Sequence, residues 1–262
     1  MNPRIFKIVS AKPELIVEFP SWMLSEATEK ELRGTEGLAL VEIAGRDSIA
    51  AALEATKMRN IKALLPTIAY TGTEFGDWEV PFKKTYVLKE ELVKRGIKVF
   101  DTILLGAPTF WWLLCGRHIT HIIKKFRFYS PCVGCHLYLH AIRIPLAKKI
   151  KCDVVIGGER ELHEGKIKIN QIGVALDTYI SFAERFGIEL LLPLRHMRSD
   201  KDIESIVGQY WEESTEQLEC VLSKNYLDVD GSAVYSEDDI KRFFNEFAIN
   251  EAESIVRKFL SV

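Results

Sequence analysis

The chain has 262 residues, of which 47% are hydrophobic, 27% charged and 10% aromatic, proportions that exclude a disordered, collagen-like or wholly coiled-coil protein. Thirty-five basic against 37 acidic side chains leave a formal charge of −2, so overall charge argues neither for nor against a nucleic-acid partner. No apolar run reaches the ~18–20 residues that span a bilayer, and the N-terminal segment lacks a continuous apolar h-region, so a cytoplasmic protein without membrane contact is expected.

Taken in order, residues 1–20 read as one or two short strands, Ile5–Val9 and Leu15–Phe19, ahead of Pro20. A charged helical stretch opens at Ser25 and stops near Gly34. The compact run Leu38–Ile43 reads as a strand, closes at Ala44-Gly45 and leads into an alanine-rich helix over Ile49–Lys57. This is the opening of a βαβ unit. A second strand, Ala63–Tyr70, is followed by a helix over Lys84–Arg95 and a third strand over Lys98–Leu105. Helices are then expected at His118–Phe126 and Leu137–Lys149, a fourth strand at Asp153–Ile156, a helix at Leu176–Phe186 and a fifth strand at Glu189–Leu192. Helices from Lys201 to Trp211, over Glu237–Phe247 and over Glu251–Leu260 complete the chain.

Strand and helix alternate five times, the pattern of a doubly wound parallel sheet. The expected fold is therefore Rossmann-like α/β, with a five-stranded, mainly parallel sheet and a C-terminal helical extension. Residues 1–35 would form N-terminal strands and a helix, 36–200 the nucleotide-binding α/β unit, and 201–262 the extension. Ligands of such sheets sit beyond the carboxyl ends of the strands, here marked by Gly45, Gly72, Gly106, Gly157 and Pro193.

Charge is unevenly spread. No carboxylate occurs in residues 102–152, which carry Arg117, Lys124, Lys125, Arg127, Arg143, Lys148, Lys149 and Lys151, whereas residues 200–262 hold fifteen acids against six bases. The basic middle suits a phosphodiester backbone or is simply a basic face; Trp111 and Trp112 beside it could stack a base or belong to the core.

The turn Ile43-Ala44-Gly45-Arg46-Asp47-Ser48 joins the first strand to its helix. A glycine here allows close approach to a phosphate, and the helix N-terminus offers amide donors and a positive dipole end. Arg46 adds a guanidinium fork and Ser48 a hydroxyl, while Asp47 caps the helix or orients a cation. Past the fourth strand, Arg160, His163, Lys166 and Lys168 form a basic run that reads either as a phosphate grip or as a solvated hairpin; Arg195 beyond the fifth strand is a candidate phosphate clamp.

In these residues the sequence resembles the PP-loop ATP pyrophosphatase superfamily of the HUP type, whose first loop reads S-G-G-x-D-S/T. Gly45, Asp47 and Ser48 match that pattern, while Ile43 and Ala44 replace its serine and first glycine, so the loop is degenerate. Further similarity runs in order through residues 36–225, including Val154-Val155-Ile156-Gly157 and Leu192-Pro193-Leu194-Arg195. The resemblance implies that ATP, with Mg2+, is held by Ile43, Ala44, Gly45, Arg46, Asp47, Ser48, Tyr70, Gly157, Arg160, Lys166 and Lys168.

Five cysteines are present. Cys132-Val133-Gly134-Cys135 places two thiols one helical turn apart behind Pro131, where the helix N-terminus, Arg127 and Arg143 are expected to lower their pKa. The pair alone leaves three readings open: a zinc site completed by His136 or His140, a redox dithiol, or a cluster. Cys115 and Cys152 read as packed core residues. The resemblance is nearest to iron–sulfur tRNA 2-thiolation enzymes, which implies Cys132, Cys135 and Cys220 as ligands of a 4Fe-4S cluster. It implies catalysis by Asp47 and these three cysteines: ATP-dependent adenylation of a base, in tRNA bound through residues 102–152, followed by sulfur transfer from an unidentified donor. A nucleotide- or metal-binding module without adenylation, or a dithiol protein, is the alternative. A homodimer is left open.

Overall fold

The computed structural model describes residues 2–208 and 217–261; the part of the expected Lys201–Trp211 helix beyond 208 lies outside the described residues. The chain opens with a helix, α1 (Pro3–Ala11), instead of the expected strand. Pro3 presets the first turn and the Asn2 side chain accepts the Arg4 amide, so local capping outweighs the β-branched content of Ile5–Val9. Leu15 makes an isolated antiparallel bridge to Gly106 in place of a second N-terminal strand.

Helix α2 (Glu26–Arg33) is capped by Ser25 and leads to β1 (Leu38–Glu42), α3 (Arg46–Met58), β2 (Ala63–Tyr70), β3 (Glu74–Phe75) and α4 (Glu79–Lys94). Then come β4 (Lys98–Val99), β5 (Ile103–Gly106), a short helix α5 (Pro108–Trp111), a π-helical turn over Trp112–Gly116 and α6 (Ile119–Phe126). Two successive helices, α7 (Ser130–Ala141) and α8 (Arg143–Lys149), occupy the region read as one. Pro145 has no amide to donate to Ala141, so one unbroken helix cannot run through it; it is accommodated in the first turn of a new one. The order ends β6 (Val154–Ile156), α9 (Gly173–Glu184), β7 (Glu189–Leu191), α10 (Asp200–Val207), β8 (Glu219–Cys220), α11 (Glu237–Phe243), a π-helical turn over Phe244–Ala248 and α12 (Ile249–Leu260).

The main sheet is parallel throughout, with β4 and β5 both pairing with β2, followed by β1, β6 and β7. It has six strand segments because the third expected strand is broken at Phe100-Asp101-Thr102: Lys98 and Val99 pair with Ala63 and Leu64, and Ile103–Gly106 with Thr67–Tyr70. Asp101 turns out to Lys89 and Thr102 bonds Thr85, which interrupts the ladder. The chain reverses its direction of winding between β1 and β6, so their carboxyl ends flank the crevice of the fold.

Burial follows from alternation along strands that are apolar on both faces. Leu38, Leu40, Ala63, Leu65, Ile103 and Leu105 face one core, with α7, α8, α9, α11 and α12. Ala39, Val41, Leu64, Ile68 and Leu104 face the other, with α1, α3, α4 and α10. A second, two-stranded antiparallel sheet joins β3 to β8 and sets Glu74 opposite Cys220. Among the described residues, no helix is long and apolar enough to cross a membrane.

Candidate nucleotide and thiol site

Two cavities, each of roughly 700 Å3, open at the carboxyl edge of the sheet and share a wall. The first, of about 720 Å3, is lined by the turn Ala44–Ser48, by Gly158, Glu159, Arg160, Lys166 and Lys168, and by Asp200 and Glu204. The second, of about 730 Å3, contains Cys132, Cys135 and Cys220 together with Glu74 and Tyr226. His136, Lys166, Lys168 and Gln171 line both.

The first cavity is built around the N-terminus of α3. Gly45, not Asp47, is the N-cap. Ser48 folds back: its Oγ accepts the amides of Ala44 (3.0 Å) and Gly45 (3.2 Å) and donates to the Gly45 carbonyl (2.7 Å). The hydroxyl expected to meet a ligand therefore shapes the turn, and an anion is left the amides of Arg46, Asp47 and Ser48 in the first helical turn, where no intrahelical acceptor exists. Gly158 closes over this turn; a Cβ at that position would stand 2.7 Å from the Ser48 amide nitrogen.

Asp47 is free of capping duty and becomes a hub. It accepts from Arg46 Nε (3.3 Å) and from Arg160 Nε (3.0 Å). Asp200, at the start of α10, reaches the same two guanidiniums, lying 3.1 Å from Arg46 and in contact with Arg160. Arg46 also pairs with Glu204 at 3.3 Å. Burial alone would weaken the charge of Arg160, but Asp200 and Asp47 raise its pKa, and Arg160 in turn holds Asp200 below the usual carboxylate range. Burial pulls the Lys168 ammonium down, and burial with the charges of Lys168 and Arg160 drives His163 to about 4.

Behind this rim, Glu159 is buried between two histidines: His140 Nε2 lies 2.9 Å and His136 Nδ1 3.6 Å from its Oε1. Burial would keep both carboxyl and imidazole neutral; their mutual attraction wins, lowering Glu159 and raising His140. His136 Nε2 is 2.7 Å from Asn170 Nδ2, and Cys132 Sγ approaches Asn170 Oδ1 at 3.5 Å. A polar chain thus runs from the thiol through Asn170 and His136 to the carboxylate beside the phosphate turn.

On the thiol side, Cys132 and Cys135 lie in the first turns of α7, and the short β3–β8 ladder brings in Cys220, whose Sγ is 3.5 Å from Thr73 Oγ1. Trp111 Nε1 donates to Cys135 Sγ at 3.3 Å. The thiols are not activated as expected. Burial pushes Cys132 up to about 12, and Cys135 well above its ordinary value. Arg143 gives them no help, because it is wholly buried and turned to Thr67 and Glu42. That burial works against a reactive dithiol. The three cysteines line one cavity, the second of the two.

The remaining expected residues divide plainly. Gly45, Arg46, Asp47, Ser48, Ala44, Arg160, Lys166 and Lys168 share the first cavity. Ile43, Tyr70 and Gly157 do not line it: Ile43 and Tyr70 are core residues, the Tyr70 ring packing where a Cβ on Gly106 would stand, and Gly157 is backed by Glu159 and Leu192. Arg195 is spent on Glu161 and Asp177 and is no phosphate clamp. Cys115 and Cys152 are buried core residues. Within residues 102–152, Arg143 is interior, Lys125 pairs with Glu246 and Lys149 with Glu29, and Arg117, Lys124, Arg127, Lys148 and Lys151 are exposed. Phe110, Phe126 and Phe128 are core, but Trp112 is 52% exposed with Arg117 over its ring. The sequence did not single out Glu42, Asp200 or Glu204. For Glu42 a signal exists: it is the one charge in an otherwise apolar strand.

No family model matches the chain. The structure superposes on a 4-thiouridine synthetase solved with RNA and bound ATP at a TM-score of 0.53 and 12% identity, covering 87% of this chain and 54% of that one; this chain spans about half that protein's length. A looser superposition, with TM-score 0.40, 14% identity and coverage of 89% and 76%, is found for the U34-tRNA thiolase NcsA of Methanococcus maripaludis with its 4Fe-4S cluster. In sequence, the chain is 38% identical over 228 residues to the uncharacterized protein MJ0009 of Methanocaldococcus jannaschii, covering 84% of this chain and 80% of that protein. That similarity over most of both chains places this protein in the MJ0009 family, with a fold shared with the 4-thiouridine synthetase.

Proposed function

We propose that the chain is an ATP-dependent enzyme that activates a base of tRNA as an adenylate and prepares it for sulfur transfer. The observation that carries this reading is the shared wall: a basic cavity built on a helix N-terminus adjoins a cavity holding three cysteines, with His136, Lys166 and Lys168 belonging to both.

The amides of the α3 first turn, with Arg46, Arg160, Lys166 and Lys168, hold the triphosphate and neutralise charge that develops as pyrophosphate leaves. Asp47 positions Arg160, and Asp200 and Glu204 are carboxylates on the rim that suit the Mg2+ of a nucleotide. A carbonyl oxygen of the base attacks the α-phosphorus, the bond to the β-phosphate oxygen breaks, and pyrophosphate departs. A sulfur nucleophile from a donor then attacks the activated carbon, and AMP leaves with the oxygen. Cys132, Cys135 and Cys220, three thiols around one cavity, would hold a 4Fe-4S cluster, which would supply an iron without a protein ligand for binding sulfur. The exposed Trp112 and Arg117, with Lys124 and Arg127, provide stacking and phosphate contacts for RNA.

Pyrophosphate exchange into ATP in the presence of tRNA tests the activation step. Exchange that disappears in Asp47→Ala supports the reading, and no exchange with any RNA favours a nucleotide-binding module. Iron and sulfide in anaerobically purified protein, lost in Cys132→Ala, support the cluster.

A further inference from the structure

Below the phosphate turn, three buried side chains from three separate elements converge. Glu42 ends β1, His140 lies in the last turn of α7, and Glu159 follows β6. One ligand atom of each lies within 4.8 Å of the others. Their exposures are 7%, 3% and 4%, so each side chain is almost wholly withdrawn from the surface.

Those atoms lack partners. Glu42 Oε2, Glu159 Oε2 and His140 Nδ1 make no hydrogen bond, and the one close polar contact of the imidazole is His140 Nε2 at 2.9 Å from Glu159 Oε1. Buried oxygens and nitrogens in this condition are costly and uncommon. The neighbouring cations do not account for them. Arg143 Nη1 is 3.5 Å from Glu42 Oε2, but its Nε is bonded to Thr67 Oγ1 at 2.9 Å and Nη1 also reaches the Leu139 carbonyl. Arg143 offsets the charge of Glu42 and His140 that of Glu159, yet neither contact gives Glu42 Oε2 or Glu159 Oε2 a hydrogen bond.

We propose that Glu42, His140 and Glu159 form a site for one protein-held divalent ion of intermediate hardness, of the Mn2+, Fe2+ or Zn2+ class. Two carboxylates and an imidazole are the donors such ions take. A single ion would engage the orphaned oxygens and one ring nitrogen together. Arg143 behind Glu42 and His136 beside Glu159 would orient the ligands, the usual work of an outer shell. Both carboxylates line the first cavity, so a coordination position opens toward it, as in catalytic sites and unlike closed structural ones. The inference rests on the buried cluster and not on the adenylation reading.

The test uses the full chain, stripped with a chelator and free of nucleotide, titrated with Mn2+ and followed by electron paramagnetic resonance. Thiols prefer softer ions, so Mn2+ reports this cluster and not the cysteines. The expected result is one saturable equivalent whose spin-echo modulation shows one imidazole nitrogen. Glu159→Gln should weaken binding by about tenfold or more, and His140→Gln should abolish the nitrogen modulation. Absence of saturable Mn2+ in the wild-type chain, bound Mn2+ without nitrogen modulation, or an unaltered site in both variants overturns the proposal. The first two readouts need no variant to fold.

Discussion

Arg160 Nε donates to Asp47 Oδ2 at 3.0 Å across 113 positions of sequence, tying the loop after β6 to the first turn of α3. The bond joins the two sides of the crevice at the point where the sheet reverses its winding. Arg160 is 3% exposed, so its charge depends on the carboxylates that face it.

Asp47→Ala removes one of the two carboxylates facing Arg160 and leaves Asp200. A charged hydrogen bond of this kind contributes about 1.5–3 kcal/mol, and a loss in the lower half of that range is expected, read from the midpoint of urea unfolding. Asp47→Asn, which keeps an acceptor, should recover part of it.

Asp200 competes with any anion for Arg46 and Arg160. Asp200→Asn should take one carboxylate away from each guanidinium, leaving Asp47 on both and Glu204 on Arg46, and tighten binding of a non-hydrolysable ATP analogue. For a partly exposed pair worth ~0.5–1 kcal/mol the gain is about two- to fivefold. Calorimetric titration without magnesium, at low and high salt, checks both the gain and its decline on screening.

His163 supplies a pH dependence. Its pKa in the fold is about 4, below the ordinary value of about 6.5. The unfolded chain binds a proton that the fold refuses, so stability rises with pH across this interval. The contribution is complete above about pH 6.5 and fades as pH falls toward 4. Unfolding midpoints at pH 5 and pH 7.5 should draw together in His163→Gln.

The buried thiols should resist alkylation. At pH 8, native Cys132 and Cys135 should react far more slowly with iodoacetamide than in the unfolded chain, because burial keeps them protonated. Cys220 is only partly buried and should be modified first. Mass spectrometry of a timed digest gives the order.

Gly158→Ala would put a Cβ 2.7 Å from the Ser48 amide nitrogen and 2.8 Å from its Cα. Backbone atoms cannot swing aside as a side-chain tip can, so a loss of about 1–3 kcal/mol is expected, with weaker nucleotide binding. A variant as stable as wild type would show that the turn relaxes freely.

The succession of strands and most helices along the chain were legible because each central strand is apolar on both faces and ends in a small-residue turn. Four places misled, one of them Leu15–Phe19, where only Leu15 bridges, to Gly106. Ile5–Val9 looks extended by composition, but Asn2 and Pro3 start a helix. The third strand looks continuous, yet Asp101 points to solvent and breaks it. Pro145 divides one apparent helix into two. In the site, Arg46, Asp47 and Arg160 were legible from strand-end position, whereas Arg195 has the same position and is consumed by Glu161 and Asp177. Asp200 and Glu204 were invisible because nothing local says that α10 lies against the phosphate turn. Burial likewise is a tertiary property, and it reversed the pKa expected for Cys132.

Helix α7 carries Cys132 and Cys135 at one end, His136 between the cavities, and His140 beside Glu159. A single hydrogen-bonded rod therefore fixes the spacing of the two chambers. Any axial slide of that rod when one chamber fills would be transmitted to the other over the same travel. The two compartments thus share one continuous wall of twelve residues.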